Sequence, residues 1–245
     1  MNNPFLIHEQ KRNSRWLVTC DHATNRVPSS VGEGSLGLAH EDMERHIAYD
    51  VGAAGVSRHL ADELQSTAVL ANFSRLVIDP NRGEADPTLL MRLYDGSIIP
   101  GNRHADADEK ERRLNAFHRP YHNVLAEAAE RRNDTVIVSI HSFTPQLNGK
   151  PARPWEIGVL HSRDRTFSQP ILERLQREND LTVGDNQPYH GYLPGDAIDR
   201  HATSKERPHV LIEIRNDLIT QGDQQKAWAE RLAPILVEVL NKTQL

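Results

Sequence analysis

The stretch that decides the fold is Thr135-Val136-Ile137-Val138-Ser139-Ile140, an uninterrupted run of β-branched and apolar residues. A run without a polar face is typical of a strand that helices cover on both sides. Similar apolar runs occur at 16–20, 67–71, 76–78, 155–160 and 209–214. Helical patterns lie between or after them, at 50–64, 168–178 and 224–240. This alternation predicts an α/β three-layer sandwich with a mixed, mostly parallel central sheet.

Two stretches interrupt the alternation. Residues 87–106 contain the turn pairs Asp95-Gly96 and Pro100-Gly101, which predict a long surface excursion. Residues 106–132 have a charged helical pattern that includes Pro120, so we expect a kink or a break there. Both signs of charge alternate within it, which indicates a solvated helix face rather than a surface for nucleic acid.

Length and composition exclude several classes of protein. The chain has 245 residues and no internal repeat or linker, which predicts one domain over residues 1–245. A net charge of −5 argues against a nucleic-acid partner. No apolar run approaches the roughly 20 residues that span a bilayer, and no signal peptide is visible, so we expect a cytoplasmic protein without a membrane partner. The single cysteine excludes an intrachain disulfide.

Polar residues follow four of the predicted strands. Asp21-His22 follows the first, Asp79-Pro80-Asn81-Arg82 follows the run at 76–78, and His141-Ser142 follows the run at 135–140. Glu213 lies at the end of the last strand. Because ligands of α/β folds bind at the carboxyl ends of strands, we expect these groups to share one rim.

His22 and His141 are the best candidates for metal ligands. A hydrolytic zinc site needs about three protein ligands and an open position for water. Each of these histidines ends an apolar strand, where the backbone is fixed. Either one alone is better explained by a hydrogen bond to a backbone carbonyl, but the pair favours a site for zinc or another divalent metal.

The residues leave the third ligand open. His46 and Asp50 are four residues apart and would share one face of a helix, so either one is able to complete the site. Asp50 is alternatively the N-cap of the helix that follows. His40 and Glu44 have the same spacing, but the charges around them predict a solvated surface.

Glu213 is the candidate general base because an unpaired charge inside an apolar strand needs a partner or a cleft. Arg215 lies on the same side of the strand by alternation, so the two residues form either a structural ion pair or a base beside a substrate-binding arginine. Arg75 and Arg82 suit a dicarboxylate substrate, unless Asp79 pairs with one of them to stabilise a turn.

At these residues the chain resembles the N-formylglutamate amidohydrolase family, which is distantly similar to zinc carboxypeptidases and aspartoacylase-like deacylases. The resemblance runs from about residue 16 to residue 220. It is carried by Cys20–Ala23, His46–Ala53, Ser74–Arg82, His141–Pro145, Val183–Tyr189 and Ile212–Leu218. It implies a phosphorylase/hydrolase-like fold and a small-molecule N-acyl amino acid as the substrate.

The resemblance also implies roles for individual residues. His22, His141 and a carboxylate, for which we take Asp50, would hold zinc, and Glu213 would be the base. In the wider superfamily, which includes the zinc carboxypeptidases and aspartoacylase-like deacylases, the metal ligands include a His-x-x-Glu pair. The corresponding residues here are His22-Ala23-Thr24-Asn25, without a glutamate, so the carboxylate ligand must come from elsewhere in the chain. The remaining expected residues are Arg215 as a second catalytic group and Arg75, Asn81, Arg82 and Ser142 as substrate contacts.

The activity that these expectations describe is cleavage of N-formyl-L-glutamate to formate and L-glutamate. One alternative is a zinc amidase or carboxypeptidase-like hydrolase that acts on another N-acyl amino acid or peptide. The other is a metal-free binding protein that has kept the fold. The sequence does not indicate an oligomeric state.

Overall fold

A seven-stranded sheet organises the chain in a computed structural model that describes residues 3–243 and 245. The strand order is β1-β3-β2-β6-β9-β7-β8, and β4 and β5 form a separate hairpin. Strands β3, β2, β6 and β9 run parallel to one another. At the two sides of this group, β1 pairs antiparallel with β3, and β7 pairs antiparallel with β9. The bounds are β1 Phe5–His8, β2 Trp16–Cys20, β3 Thr67–Ala71, β4 Leu93–Tyr94, β5 Ser97–Ile98, β6 Val136–Phe143, β7 Ile157–Leu160, β8 Val183–Asp185 and β9 His209–Arg215.

Helices cover both faces of this sheet. They are α1 His40–Met43, α2 Ala53–Glu63, α3 Ala107–Arg113, α4 Arg119–Ala129, α5 Ser168–Leu175, α6 Ala197–His201 and α7 Gly222–Thr243. One core lies between the sheet and α2, α5 and α7, and a second lies between the sheet and α4, α6 and the segment 73–117. The predicted three-layer sandwich is confirmed. In the described residues, no helix has the length and apolar character needed to cross a bilayer.

Strands β6 and β9 show how the sheet feeds both cores and the site. In β9, Val210, Ile212 and Ile214 pack into the core under α2, α5 and α7. Alternation sends Glu213 to the opposite face. The register of the two parallel strands places His141 directly beside Glu213, so both side chains leave the sheet on one face.

Most predicted elements are present with shifted ends. The strands at 16–20 and 67–71 have the predicted bounds, and the strand predicted at 155–160 is β7, which is shorter. The helix predicted at 50–64 begins at Ala53. The charged helix continues from Ala107 to Ala129, but its α-helical hydrogen bonding is interrupted by a π-helical turn over Leu114–His118, which separates α3 from α4 just before Pro120.

The strand predicted at 76–78 is wrong. This segment is a buried turn, closed by the Val77 N–H, which donates to the carbonyl of Ser74 at 2.9 Å. Its carbonyls bond to distant side chains instead of a neighbouring strand, since Asn102 donates to Leu76 at 2.7 Å and Arg113 donates to Val77 at 2.8 Å. An apolar run fits a buried turn as well as a strand once side chains satisfy its backbone.

We expect Asn102→Ala to lower the free energy of unfolding by about 3 kcal/mol, because the buried carbonyls of Leu76 and Met91 would both lose their amide donor. Urea denaturation of the variant and the wild type measures this difference. The exposed Asn115 provides the control, since Asn115→Ala should change stability by no more than about 0.5 kcal/mol. Equal losses in the two variants would contradict the account of the turn.

Candidate active site

A cavity of about 480 Å³ opens at the carboxyl ends of β2, β6 and β9. Side chains of several kinds line it, among them the uncharged polar Asn81 and Ser142. The ionisable ones include His22, Asp50, His141 and Glu213, and the cationic ones are Arg75 and Arg82. The aromatic and apolar ones are Tyr94, Phe143, Leu160, Pro188, Tyr189, Tyr192, Leu193 and Leu211.

Two imidazoles and one carboxylate form the centre of the cavity. His22 lies just beyond β2 and His141 lies in β6, with ring centroids 5.1 Å apart. Nδ1 of each ring faces the Asp50 carboxylate, at 3.3 Å from His22 and 2.9 Å from His141. Ligand atoms of the three residues all lie within 4.8 Å of one another, and all three side chains are buried.

A second carboxylate holds the far side of each imidazole. Nε2 of His22 lies 2.7 Å from Asp79, and Nε2 of His141 lies 3.2 Å from Asp21. Asp21 in turn accepts a 2.6 Å hydrogen bond from the Tyr121 hydroxyl. Carboxylate partners of this kind leave the other ring nitrogen free to bind a metal and fix the orientation of the ring.

The position of Asp50 depends on the loop before α2. Its N–H donates to the carbonyl of His22 at 2.9 Å, and the Ser142 N–H donates to its carboxylate at 3.2 Å. The N-cap of α2 is Gly52, so Asp50 is not the cap. Gly52 has a positive φ of 81°, and a Cβ there would lie 2.1 Å from the carbonyl oxygen of Ile219, so the loop requires glycine.

Charge complementarity overcomes burial in this group. Burial alone would raise the pKa of Asp21, Asp50 and Asp79, but the neighbouring imidazoles, together with Arg75 at Asp79, hold all three below their ordinary values. Burial likewise opposes protonation of His141, and its two carboxylate partners outweigh it, so its pKa is well above normal. Two imidazoles and an ionised carboxylate at this spacing fit a divalent metal of the zinc type.

His46 does not join this group. Its Nε2 is 3.4 Å from the Asp95 carboxylate, although its side chain lines the cavity. His40 is 82 % exposed and Glu44 lies 3.9 Å from it, as expected for a solvated surface. Of the alternatives for the third ligand, the structure therefore brings Asp50 to the two histidines.

Glu213 lies beside the His22–Asp50–His141 group. It lines the cavity, is 6 % exposed, and has one buried carboxylate oxygen for which the described residues offer no hydrogen-bond partner. Burial raises its pKa to about 7, while His141 works against this rise and the charge of Asp50 adds to it. A carboxyl group with this pKa is able to accept and return a proton near neutral pH.

The structure does not bring Arg215 to the other predicted residues. Its guanidinium donates to Asp217 at 2.8 Å and lies 3.4 Å from Glu156, and it is not part of the cavity wall. The ion pair between Arg215 and Glu213 that the sequence allowed does not form in the described residues. Alternation along β9 places the two side chains on one face, but Arg215 lies at the end of the strand, where its guanidinium contacts Asp217 and Glu156 instead of Glu213.

The four predicted substrate contacts all line the cavity but differ in their partners. Arg75 donates to Asp79 at 2.8 Å and lies 3.5 Å from Asp50, so it is committed to the buried carboxylates. The Ser142 hydroxyl donates to the carbonyl of Val51 at 2.8 Å.

Asn81 and Arg82 are less occupied by other partners than Arg75 and Ser142 are. The Asn81 side-chain oxygen accepts from the N–H of Ala197 at 3.3 Å. Arg82 donates to Thr88 at 3.1 Å and to the carbonyl of Asn81 at 2.8 Å. Within the described residues it makes no ion pair. Its guanidinium can therefore receive a carboxylate from the cavity.

The roles of several site residues were not predicted. The sequence placed Asp21 and Asp79 at the shared rim but did not indicate that each holds an imidazole. Asp196 lines the cavity as the N-cap of α6, and its pKa is raised to about 7, chiefly by burial. The loop 188–193 forms much of the aromatic wall, and nothing in its sequence indicated this.

Comparison with known proteins identifies the family of the chain. A family model described as N-formylglutamate amidohydrolase matches residues 14–220. The chain belongs to the N-formylglutamate amidohydrolase family. As a member of this family, it is a hydrolase of amide bonds.

Relatives with this fold span nearly the whole chain. An N-formylglutamate deformylase of Pseudomonas putida is 27 % identical over 241 residues, which cover 89 % of this chain and 86 % of the relative. A solved structure of an Agrobacterium tumefaciens gene product has a TM-score of 0.92 and 32 % identity, with 100 % and 97 % of the two chains covered. The N-formylglutamate amidohydrolase structure from Ralstonia eutropha, at 21 % identity, has a TM-score of 0.76 with 99 % of both chains covered, which shows the shared fold.

We expect Asp79→Asn to weaken zinc binding by about 10- to 100-fold, because the imidazole of His22 would lose its anionic partner. Competition with a chromogenic chelator measures the affinity without an activity assay. Asp185→Asn is the matched control, since Asp185 faces Nε2 of His161 at 2.6 Å outside the metal group. An unchanged zinc affinity in Asp79→Asn would contradict the role assigned to Asp79.

The raised pKa of Glu213 predicts how the stability of the metal-free protein depends on pH. Between about 4.5 and about 7 the folded state keeps a proton that the unfolded chain releases, so this stabilisation is complete below that window and is lost as pH rises through it. Glutamine does not titrate, so the Glu213→Gln variant should not lose this stability. Its free energy of unfolding, compared with that of the wild type, should therefore increase by about 3 kcal/mol from the low-pH end of the window to the high-pH end. Urea unfolding across the window tests this, and parallel curves for the two proteins would refute it.

Proposed function

We propose that the chain is a metal-dependent amidohydrolase that cleaves the amide bond of an N-acyl amino acid, with N-formyl-L-glutamate as its first candidate substrate. One observation carries the proposal: the His22–Asp50–His141 group lies beside Glu213 in a single cavity. The choice of N-formyl-L-glutamate is supported by the deformylases of Pseudomonas putida and Pseudomonas aeruginosa, which the chain resembles at 27 % and 24 % identity.

The proposed metal ligands are Nδ1 of His22, Nδ1 of His141 and the carboxylate of Asp50. A divalent cation bound there supplies Lewis acidity, which polarises an amide carbonyl and lowers the pKa of water. Asp79 and Asp21 hold the two rings by their Nε2 atoms, so the ligand atoms keep their directions. Zinc is the cation that this mixture of nitrogen and carboxylate ligands suits best.

Glu213 is the proposed general base. Its carboxylate takes a proton from the attacking water as the water oxygen bonds to the amide carbon. The same proton then passes to the amide nitrogen as the carbon–nitrogen bond breaks, which yields a carboxylic acid and an amine. In the metal-free protein burial raises the pKa of this carboxyl group, so Glu213 holds a proton more readily than an exposed glutamate does.

Arg82 and Asn81 are proposed to bind a carboxylate of the substrate. Arg82 is half-buried at the cavity wall and retains donor capacity in its guanidinium. A carboxylate held there would strengthen binding of the substrate in the ground state and the transition state alike, with the amide near Glu213. Arg75 instead stabilises the charges of Asp79 and Asp50.

A second candidate substrate is an N-acyl amino acid with one carboxylate and an uncharged side chain. The observation that favours it is the aromatic wall, formed in part by Tyr94, Phe143 and Tyr189, together with the pairing of Arg75 to aspartates. A screen with N-formyl-L-glutamate, N-formyl-L-methionine and N-formyl-L-phenylalanine decides between the two, with the higher kcat/KM marking the better fit.

We expect Glu213→Gln to reduce kcat for N-formyl-L-glutamate by between about a hundredfold and ten-thousandfold, because the amide cannot accept the proton of the attacking water. Release of formate by the zinc-loaded protein measures turnover, and elemental analysis establishes equal metal content in the two proteins.

Glu156→Gln is the matched control for this experiment. Glu156 is a carboxylate near the same strands, but it pairs with Arg215 and lies outside the cavity wall. It should retain turnover within about twofold of wild type. If Glu213→Gln turned over as fast as this control at equal metal content, Glu213 would not be the base.

A further inference from the structure

The segment that carries the proposed carboxylate-binding pair, Asp79–Arg82, belongs to no helix or strand. Two of its hydrogen bonds are internal: the N–H of Asn81 donates to the Asp79 carboxylate at 2.9 Å, and the N–H of Arg82 donates to the Asp79 carbonyl at 3.2 Å. A loop that must hold a substrate in one geometry needs support from neighbouring elements.

Three buried histidines lie behind this segment. His118, in the π-helical turn, donates from Nε2 to the carbonyl of Arg82 at 2.9 Å. His122, in α4, donates from Nε2 to the carbonyl of Pro80 at 3.0 Å. Nε2 of His201, in α6, lies 2.9 Å from Nδ1 of His122. The rings are close together: the ring centroids are 4.4 Å apart for His118 and His122, and 5.1 Å apart for His122 and His201.

The hydrogen bonds define where the protons lie. A carbonyl oxygen only accepts, so His118 and His122 both carry their proton on Nε2. Nδ1 of a neutral His122 then accepts from His201. Nδ1 of His118 is buried and has no hydrogen-bond partner in the part of the chain that the structure describes, which suits a neutral ring. Burial is also the main reason that the pKa values of His118, His122 and His201 are all lowered, to about 4 for His201.

We propose that His118 and His122, backed by His201, are positioning residues that fix Asn81 and Arg82 in the geometry that binds the substrate's carboxylate. This inference rests on the proposed function. None of the three histidines lines the cavity, so they act through the backbone of the segment and not on the substrate. They are anchored in three consecutive or packed elements: His118 in the π-helical turn, His122 in α4 and His201 in α6. Helix α4 packs on α6 and on the sheet.

A positioning role has a kinetic signature that a general structural role lacks. Loss of one support should weaken the grip on the carboxylate and raise KM, while Glu213 and the metal ligands keep their places and kcat is retained. A variant that only destabilises the protein lowers the amount of active enzyme and leaves KM unchanged.

The experiment compares His118→Leu, which removes the donor, with His118→Gln, whose amide nitrogen is able to donate at a similar reach. We expect His118→Leu to raise KM for N-formyl-L-glutamate about tenfold with kcat and zinc content within about twofold of wild type, and His118→Gln to recover most of the loss. His122→Leu should behave like His118→Leu.

His209→Leu is the matched control. His209 is buried, donates to the carbonyl of Arg207 at 2.9 Å and has an unpartnered Nε2, but it begins β9 at the end away from Glu213. It should leave KM unchanged. A KM increase in His209→Leu equal to that in His118→Leu, or no recovery in His118→Gln, would overturn the proposal.

Calorimetric binding of L-glutamate to the zinc-loaded protein separates this inference from the proposed function, because it needs no turnover. If the wild type binds L-glutamate and His118→Leu binds it about tenfold more weakly, positioning is supported even when N-formyl-L-glutamate is not cleaved. If the wild type does not bind L-glutamate, no carboxylate is held and the positioning proposal is overturned.

Discussion

The structure depends on one buried carboxylate, Asp50, which lies between the Nδ1 atoms of His22 and His141. Each imidazole is held from behind by its own aspartate, Asp79 or Asp21. The three aspartates bring three negative charges into the interior, and Arg75 supplies one positive charge. Protons or a divalent cation would balance the two remaining negative charges, so a cation that bound here would displace protons.

The sheet brings these groups together because β2, β6 and β9 are parallel and end at one edge. The sequence predicted these strands and their terminal residues, since each strand is a short apolar run followed by polar groups. Strand order is a long-range property that no local pattern contains. The chemistry of His141 and Glu213 marks each of them as a candidate site residue. That they are neighbours on adjacent strands follows only from the register of β6 and β9.

Asp50 and the turn at 76–78 show where the sequence was insufficient. If residues 46–50 were helical, His46 and Asp50 would lie on one face and either could reach the site. The helix begins only at Ala53, so His46 instead faces Asp95 while Asp50 faces the imidazoles. The turn looked like a strand because its carbonyls are satisfied by Asn102 and Arg113, which are distant in sequence. In both cases the deciding partner lies outside any window in which periodicity operates.

The two arginines of one short motif illustrate how burial separates equivalent residue types. Arg75 and Arg82 are both cavity residues with the same side chain. Asp79 takes Arg75, because a carboxylate bonded on one side to His22 has its other oxygen directed at that guanidinium. Arg82 is then left to bonds with neutral oxygens, and a neutral acceptor is a weaker partner for a guanidinium than a carboxylate. An incoming carboxylate therefore has more to gain at Arg82 than at Arg75, and the aspartate that holds the imidazole of His22 is also the residue that makes the two arginines different.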